Sequence, residues 1–492
     1  MVKARSLTHR TVTGLAWSWV AIAITAAMQL IYTAVISRLL EPADFGLVAA
    51  ALLGLRFVTY FSRFGLASAV VQRPTLDRQD ISTAMRLSIL FGVAAAAGAV
   101  AASPLLATVM REPSAAPVMR WMALGVLIGT IAGVPEALVR RTMRFQSLGA
   151  AQVFSYAFGY LGVGIVAAVQ GWGVWSLVAA SIAQAAAMLV LTCVISRPTV
   201  RSGFSRPAAR QMLSFGGTVA ITGFLEFLTS SIDTIAVGRY VGTAGLGQYS
   251  RGTFLVGLPV EQATTATTRV LLPSLSRVQT DTERFSRAVL VIIRLLAFVV
   301  AVPVAMISAA APSLVPLLLG DGWEAAAAVL PYVGAAYGLA LLTHSVAIAA
   351  EARGALRRKL AIQVGALATT SALITGAVVA GPTLNRLALA WLLGEAARLL
   401  YYWVWMMPAL GIERMRVAGI YARAGAIALL GAAPIVLIVR FLHDSSLVGL
   451  ALSVAVGLLL CFAGLWSPIG SLARADARSI RANMAPESPE SS

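Results

Sequence analysis

Long apolar stretches, each bounded by charged residues, recur along the whole of this chain. A helix needs about 20 apolar residues to cross a bilayer, so 492 residues with short connections have room for about 14 spans. The predicted spans are 14–36, 45–71, 83–109, 117–139, 147–169, 173–195, 214–237, 245–268, 288–310, 325–349, 359–380, 384–406, 418–440 and 446–466. Only 12% of the residues are charged, against roughly 25% in soluble domains. The sequence therefore predicts an all-α polytopic membrane protein.

The distribution of basic residues predicts the orientation. An even number of spans places both termini on one side, and most arginines and lysines fall in the connections on that side. The opposite side carries Arg38, Arg111, Arg120, Arg239, Arg251, Arg386 and Arg440. Because cytoplasmic loops are enriched in basic residues, both termini are predicted to be cytoplasmic. The net charge of +18 is accordingly interpreted as a topology signal and as contact with anionic membrane lipids, not as binding of nucleic acid.

A weak internal repeat relates the two halves of the chain. The segment ISRLLEPADFGLVAAALLG (36–54) aligns with VGRYVGTAGLGQYSRGTFL (237–255) at an offset of 201 residues. The pairs at this offset are Arg38 with Arg239, Ala43 with Ala244, Gly46 with Gly247, Asp80 with Asp281, and Arg86 with Arg287. Six predicted spans lie between the copies, so both halves enter the membrane from the same side. Internal repeats around a central path are typical of transporters. We interpret Arg239 and the glycines after it as a tight outer connection in which the glycines only form a turn.

The repeat predicts how the chain is organised. The predicted parts are an N-terminal six-helix bundle (1–195), a cytoplasmic linker (196–213), a C-terminal six-helix bundle (214–406), two further transmembrane helices (407–466) and a disordered cytoplasmic tail (467–492). The polar intervals are too short to hold a catalytic domain. Both cysteines, Cys193 and Cys461, lie in apolar runs, which favours buried apolar packing over a disulfide framework or a metal site. We expect a protein that is not an enzyme.

Four segments in order resemble one family. LLEPADFGLVAAALL resembles the loop after the first helix of polysaccharide exporters in the multidrug/oligosaccharidyl-lipid/polysaccharide (MOP) flippase superfamily. VPEALVRRTMRFQSLGAAQ with GWGVWSLVAAS, SSIDTIAVGRYVGTAGLGQYSRG with LLPSLSRVQTD, and LLLGDGWEAAAAVLPYVG are similar to later segments of that family. The resemblance extends from about residue 14 to 360 and fades in the last four spans. It implies the MOP fold, with two pseudo-symmetric six-helix bundles (N-lobe and C-lobe) and two C-terminal helices.

The resemblance also implies an activity. It is the flipping of undecaprenyl-diphosphate-linked oligosaccharide across the bacterial inner membrane, for exopolysaccharide, capsule or O-antigen assembly beside a polysaccharide polymerase and export machinery. A peptidoglycan-precursor flippase or a cation-coupled multidrug exporter of the same superfamily remains an alternative, and so does a membrane-embedded glycan polymerase or transferase. The chain has no phosphate-binding motif of the G-x-x-x-x-G-K-[ST] type. ATP-driven transport by this chain alone is therefore disfavoured. We expect no cofactor, and an ion gradient (H⁺ or Na⁺) or the membrane potential is a candidate energy source.

Charged residues inside the predicted spans are the candidate site. Such residues are costly in a bilayer and usually face a wet cavity or a partner. Arg56 and Arg63 lie seven residues apart on the second span, which puts them close to one helical face. Their planar guanidinium groups suit a diphosphate. The alternative is that they extend to the membrane surface, which fits Arg63 better than Arg56.

Three acids break the symmetry of the repeat. Glu226 and Asp233 are also seven residues apart, on the seventh span, and Glu261 lies on the eighth. Our hypothesis is that the basic stripe binds phosphates, while the acids bind a coupling cation or proton, or pair with the arginines in an empty cavity. A structural ion pair between the bundles is the alternative.

Four further residues complete the candidate set. Arg294 lines the cavity or extends to the inner surface. Glu395 and Arg398, three residues apart on one helix, favour a local ion pair over a coupling role. His344 is either a proton carrier or a structural histidine.

Overall fold

The computed structural model describes residues 2–62, 66, 70–71, 76–199, 203–207, 209–210, 227–441, 452 and 454–460. Throughout these residues the secondary structure is helical, with short turns between the helices. We number the helices in chain order. They are α1 (Val2–Leu39), α2 (Pro42–Ser62), α3 (Arg78–Met110), α4 (Ala115–Arg141), α5 (Phe145–Val169), α6 (Val174–Ser196), α7 (Ile232–Tyr240), α8 (Thr243–Arg277), α9 (Thr282–Leu319), α10 (Glu324–Ala352), α11 (Leu356–Val379), α12 (Leu384–Tyr401) and α13 (Arg414–Phe441).

Ten of the described helices are long and apolar enough to cross a membrane. They correspond to ten of the predicted spans, and α8 and α12 coincide with two more, at 245–268 and 384–406. Most residues of the predicted spans 214–237 and 446–466 lie outside the described part of the chain. The chain is a multi-pass, all-helical membrane protein.

The chain divides into two compact units. The first comprises Met1–Ser250 together with Leu318–Gly322, and the second comprises Arg251–Leu317 together with Trp323–Ser492. In the first unit α4 packs on α2, α3 and α6, while α5 packs on α1 and α6. In the second unit α10, α11 and α12 pack on one another. The division into bundles at 195 and 214 remains a prediction.

Local sequence explains where several helices begin and end. Asp77 and Asp80 form a capping box at the start of α3. The carboxylate of each residue accepts a hydrogen bond from the backbone N–H of the other. The helix ends at Arg111, which adopts the left-handed conformation (φ 54°). Gly320, with φ 88°, follows the end of α9 in the same way, as glycine readily does.

The 201-residue offset is confirmed at the first connection of each half. Helix α1 ends at Leu39 and α7 ends at Tyr240, while α2 begins at Pro42 and α8 begins at Thr243. The outer connection is shorter than we predicted, because Arg239 still belongs to α7 and only Val241 and Gly242 (φ 90°) lie between α7 and α8.

The same offset is wrong at the third helix of each half. Helix α3 begins at Arg78 and α9 begins at Thr282, so the second copy has three more residues before its third helix. Asp281 precedes α9, and its Oδ1 accepts the backbone N–H groups of Glu283 and Arg284. Its structural counterpart is therefore the capping residue Asp77, not Asp80, and Arg86 is likewise not the counterpart of Arg287.

Candidate functional site

Helix α2 presents one arginine on an otherwise apolar span. Leu53 and Leu55 are buried, and Gly54 lies so close to α4 that an added Cβ would be 2.8 Å from the Sδ of Met119. Arg56 and Phe57 are exposed. Arg56 has no hydrogen-bond or ion-pair partner among the residues that the structure describes. It is thus a cation available to a ligand, whereas Arg63 lies outside the described residues.

Asp233 occupies a different environment from the one we expected. The helix before it is interrupted by a turn at Ser230 and Ser231, so Asp233 begins α7 and does not end the preceding helix. A seven-residue spacing places two residues on one face only along a continuous helix, so the spacing alone does not put Asp233 on the face of Glu226, and their shared face stays a prediction. Glu226 itself lies outside the described residues.

The carboxyl group of Asp233 is buried and only half satisfied. Its side chain is 3% exposed, and its Oδ2 accepts a hydrogen bond from the Tyr249 hydroxyl at 2.6 Å. Its Oδ1 has no hydrogen-bond partner within the described residues. A buried charge without compensation is costly, so this environment favours a protonated carboxyl group or a bound cation. Nothing in the sequence pattern singled out Tyr249.

The counterpart of Asp233 in the first half belongs to an aromatic cluster. Tyr32 on α1 contacts Tyr160 edge-on at 4.9 Å between ring centroids, and Tyr160 stacks on Tyr156 at 4.7 Å. Tyr156 and Tyr160 flank the start of a π-helical segment of α5, Ala157–Gly164. Gly159 lets this segment of α5 approach α6 closely, because an added Cβ would lie 2.6 Å from the backbone of Gln184 on α6. The closely spaced glycines of AFGYLGVG were the available signal for this segment.

The second unit contains the predicted ion pair on α12. Glu395 and Arg398 are bonded, with side-chain exposures of 7% and 20%, so the predicted local pairing is confirmed. Nearby, Trp391 contacts Tyr337 of α10 edge-on at 5.3 Å. Gly394 lies directly on Thr370 of α11.

The remaining candidates are spread over other helices. Glu261 is exposed on α8, Arg294 is partly exposed on α9, and His344 is partly exposed on α10. Their roles, like that of the Glu395–Arg398 pair in coupling, stay predictions.

A family model for polysaccharide biosynthesis proteins matches residues 35–328. This segment is more than half of the chain, and it runs from the end of α1 into α10. The chain belongs to the polysaccharide biosynthesis protein family. The resemblance predicted from the sequence segments is thereby confirmed.

Curated relatives within this family have names that agree with it. The chain is 23% identical over 334 residues to the lipopolysaccharide biosynthesis protein WzxC of Escherichia coli (strain K12), covering 66% of each chain. It is 26% identical over 340 residues to the succinoglycan biosynthesis transport protein ExoT of Rhizobium meliloti (strain 1021), covering 69% of this chain and 67% of ExoT. These alignments span about two thirds of the relatives' lengths.

Solved structures show the fold. The lipid II flippase MurJ in an inward closed conformation matches with a TM-score of 0.71 at 9% identity, over 92% of this chain and 98% of MurJ. An inward-facing multidrug resistance MATE family transporter of the MOP superfamily matches with a TM-score of 0.61 at 16% identity, over 82% and 99%. The predicted MOP fold is confirmed.

Proposed function

We propose that this chain translocates an undecaprenyl-diphosphate-linked oligosaccharide from the cytoplasmic to the periplasmic leaflet of a bacterial inner membrane, by alternating access. The observation that carries the proposal is its membership of the polysaccharide biosynthesis protein family over residues 35–328. The named relatives WzxC and ExoT act in lipopolysaccharide and succinoglycan biosynthesis. Both chain termini lie in the cytoplasm, and the product enters exopolysaccharide, capsule or O-antigen assembly beside a polymerase and export machinery.

Arg56 is the proposed phosphate-binding residue. Its exposure on an apolar span and its lack of a partner among the described residues support this role, since a guanidinium group binds phosphate oxygens bidentately. Arg63, which lies outside the described residues, and Arg294 are further phosphate-binding candidates in this proposal. The lipid tail of such a substrate stays in the bilayer, so only the charged head group needs a polar path.

Asp233 is the proposed coupling residue. Its buried carboxyl group has one oxygen bonded to Tyr249 and the other without a hydrogen-bond partner among the described residues, which suits a site that gains and loses a proton or Na⁺. Glu226 and Glu261 add negative charge to the same half of the repeat. His344 is a further coupling candidate in the second half, whereas the Glu395–Arg398 pair is proposed as a structural ion pair, with coupling as its alternative role.

Reconstitution in liposomes tests the proposal. The purified protein is expected to expose a lipid-diphosphate-linked oligosaccharide to an impermeant glycosidase, and Arg56→Ala is expected to slow this exposure. Arg386→Ala is the matched control, because Arg386 is exposed and donates to the carbonyl groups of Ala380 and Gly381 in its own connection.

Two further substrates separate the alternatives. Movement of a lipid-linked peptidoglycan precursor in place of the oligosaccharide would favour the precursor flippase. Export of a cationic dye alone would favour the multidrug exporter. Cleavage or elongation of the glycan by the purified protein would identify a membrane enzyme and contradict the proposal.

A further inference from the structure

Arg38 and Arg239 make equivalent contacts. Each arginine belongs to one half of the repeat and binds a helix of the other half. Arg38 ends α1, and its Nη1 donates to the carbonyl oxygen of Leu318, in the last turn of α9, at 2.7 Å. Arg239 ends α7, and its Nη1 donates to the carbonyl oxygen of Val109, in the last turn of α3, at 2.8 Å. The first helix of each half therefore binds the third helix of the other. All four residues belong to the first compact unit.

The chemistry of these contacts explains their geometry. The last four carbonyl groups of a helix have no partner within the helix, and the carboxyl end carries partial negative charge. A guanidinium group supplies both the hydrogen bond and the compensating charge. Arg38 is held in place by a second bond, at 2.7 Å, to the carbonyl oxygen of Ala34 in its own helix. An added Cβ at Gly320 would come within 3.1 Å of the Arg38 side chain, so glycine leaves room for it.

A second symmetric contact lies beside the first. A Cβ added to Gly46 of α2 would fall 1.8 Å from the carbonyl oxygen of Thr243, and one added to Gly247 of α8 would fall 1.7 Å from that of Pro42. Thr243 and Pro42 are also 201 residues apart. The starts of α2 and α8 therefore cross with their backbones touching, and their reciprocal contacts are related by an approximate two-fold symmetry.

We propose that Arg38 and Arg239 are positioning residues of the transport cycle: together they hold this end of the first unit closed, and both must release their carbonyl partners for it to open. By the predicted orientation this is the periplasmic end. The inference rests on the proposed function, since a translocation cycle by alternating access requires this end to open. Neither arginine contacts the substrate in this role. Each acts through the helix end that it holds.

A distance measurement tests the proposal without substrate. Spin labels are placed at Ser114→Cys, after α3, and at Asp321→Cys, after α9, with Cys193 and Cys461 replaced by serine. Ser114 and Asp321 are both exposed, and both belong to the first unit. The parent is expected to give one narrow distance distribution. Arg38→Ala with Arg239→Ala should raise the ratio of long to short distances about tenfold, because charge-assisted bonds are removed from one state only.

Two variants serve as controls. Arg386→Ala removes an arginine that binds helix-end carbonyls within a single half, and its distances should equal those of the parent. Arg38→Lys with Arg239→Lys retains the charge without the planar fork, and its ratio should lie between the parent and the alanine variant. Monodisperse elution and the melting temperature verify folding of each protein. Unchanged distances in a folded alanine variant, or an equal shift in Arg386→Ala, would overturn the proposal.

The two proposals fail separately. The distances could shift as expected while the parent does not translocate the lipid-linked oligosaccharide. That result would support the positioning role of the two arginines and contradict the proposed substrate. If the parent translocates this substrate and the double alanine variant keeps both its distances and its rate, the arginine contacts are merely structural.

Discussion

Gly46 and Gly247, 201 positions apart in the chain, lie against each other where α2 and α8 begin. The sequence predicts that the glycines after Arg239 only form a turn, which is wrong for Gly247. Gly46 and Gly247 are helical residues whose missing side chains let two backbones touch. The repeat thus explains this contact, because a symmetric crossing requires glycine on both helices.

Replacing either crossing glycine is expected to destabilise the protein. In Gly46→Ala or Gly247→Ala the new methyl group meets backbone atoms, which cannot move aside as a side chain would, and overpacking of this kind costs about 1–3 kcal/mol. The melting temperature should fall in both variants. Gly129→Ala in α4 is the control, since nothing lies within 4 Å of its added Cβ, and it should be neutral or slightly stabilising. Equal effects at all three positions would contradict the crossing.

Arg56→Ala is expected to slow translocation of the lipid-linked oligosaccharide by about tenfold to a hundredfold, as for a lost hydrogen bond to a charged group. Arg56→Lys should give an intermediate rate, because the charge remains but bidentate binding is lost. Initial rates in liposomes measure both, with Arg386→Ala as the control. Normal rates in both Arg56 variants would show that Arg56 does not bind the substrate during translocation.

Substitutions of Asp233 and of Tyr249 are expected to have different effects, the first on coupling and the second on stability. Asp233→Asn retains an acceptor for the Tyr249 hydroxyl, so the variant should fold normally, yet its transport should no longer respond to an imposed proton or sodium gradient. Tyr249→Phe removes the only described hydrogen bond from another helix to Asp233 and should lower stability by about 1–3 kcal/mol.

Tyr421→Phe is the control for the tyrosine substitution, because the Tyr421 hydroxyl has no partner among the described residues. Transport and melting curves are measured in parallel. A full gradient response in Asp233→Asn would exclude Asp233 as the coupling residue.

The Glu395–Arg398 pair is expected to be structural. Glu395→Gln leaves Arg398 without its charge partner and should cost about 3–5 kcal/mol. The double variant Glu395→Leu with Arg398→Met should recover most of this loss, since replacing both members of a buried pair with apolar residues is often neutral. Melting temperatures decide between these outcomes. A folded double variant that no longer transports would instead assign the pair to coupling.

Asp281 is expected to make stability depend on pH. The Arg284 backbone N–H, bonded to its carboxylate, lowers the pKa of Asp281 below its ordinary value. Its stabilising effect is therefore complete above pH about 4, the ordinary value in an unfolded chain, and is lost as the pH falls through the lower folded value. Asp281→Ala should melt at a lower temperature than the parent at pH 7, and the difference should shrink toward pH 3. Asp281→Asn, which still caps the helix, should lose the pH dependence; a parent-like pH profile in Asp281→Asn would show that another group is responsible.

Apolar runs and their spacing predicted the membrane class and the helical fold, because each depends on composition or on periodicity along the chain, and four segments that resemble one family predicted the family. The 201-residue offset also aligned the end of α1 with that of α7 and the start of α2 with that of α8. Spacing failed where the backbone leaves the ideal helix: a turn at Ser230–Ser231 comes just before Asp233, and three extra residues displace the start of α9. Only the tertiary structure paired Asp233 with Tyr249, and only it brought Arg38 to α9 and Arg239 to α3. Those partners lie far apart in sequence or on successive helices, and their contacts depend on how helices cross, which no local pattern of residues specifies.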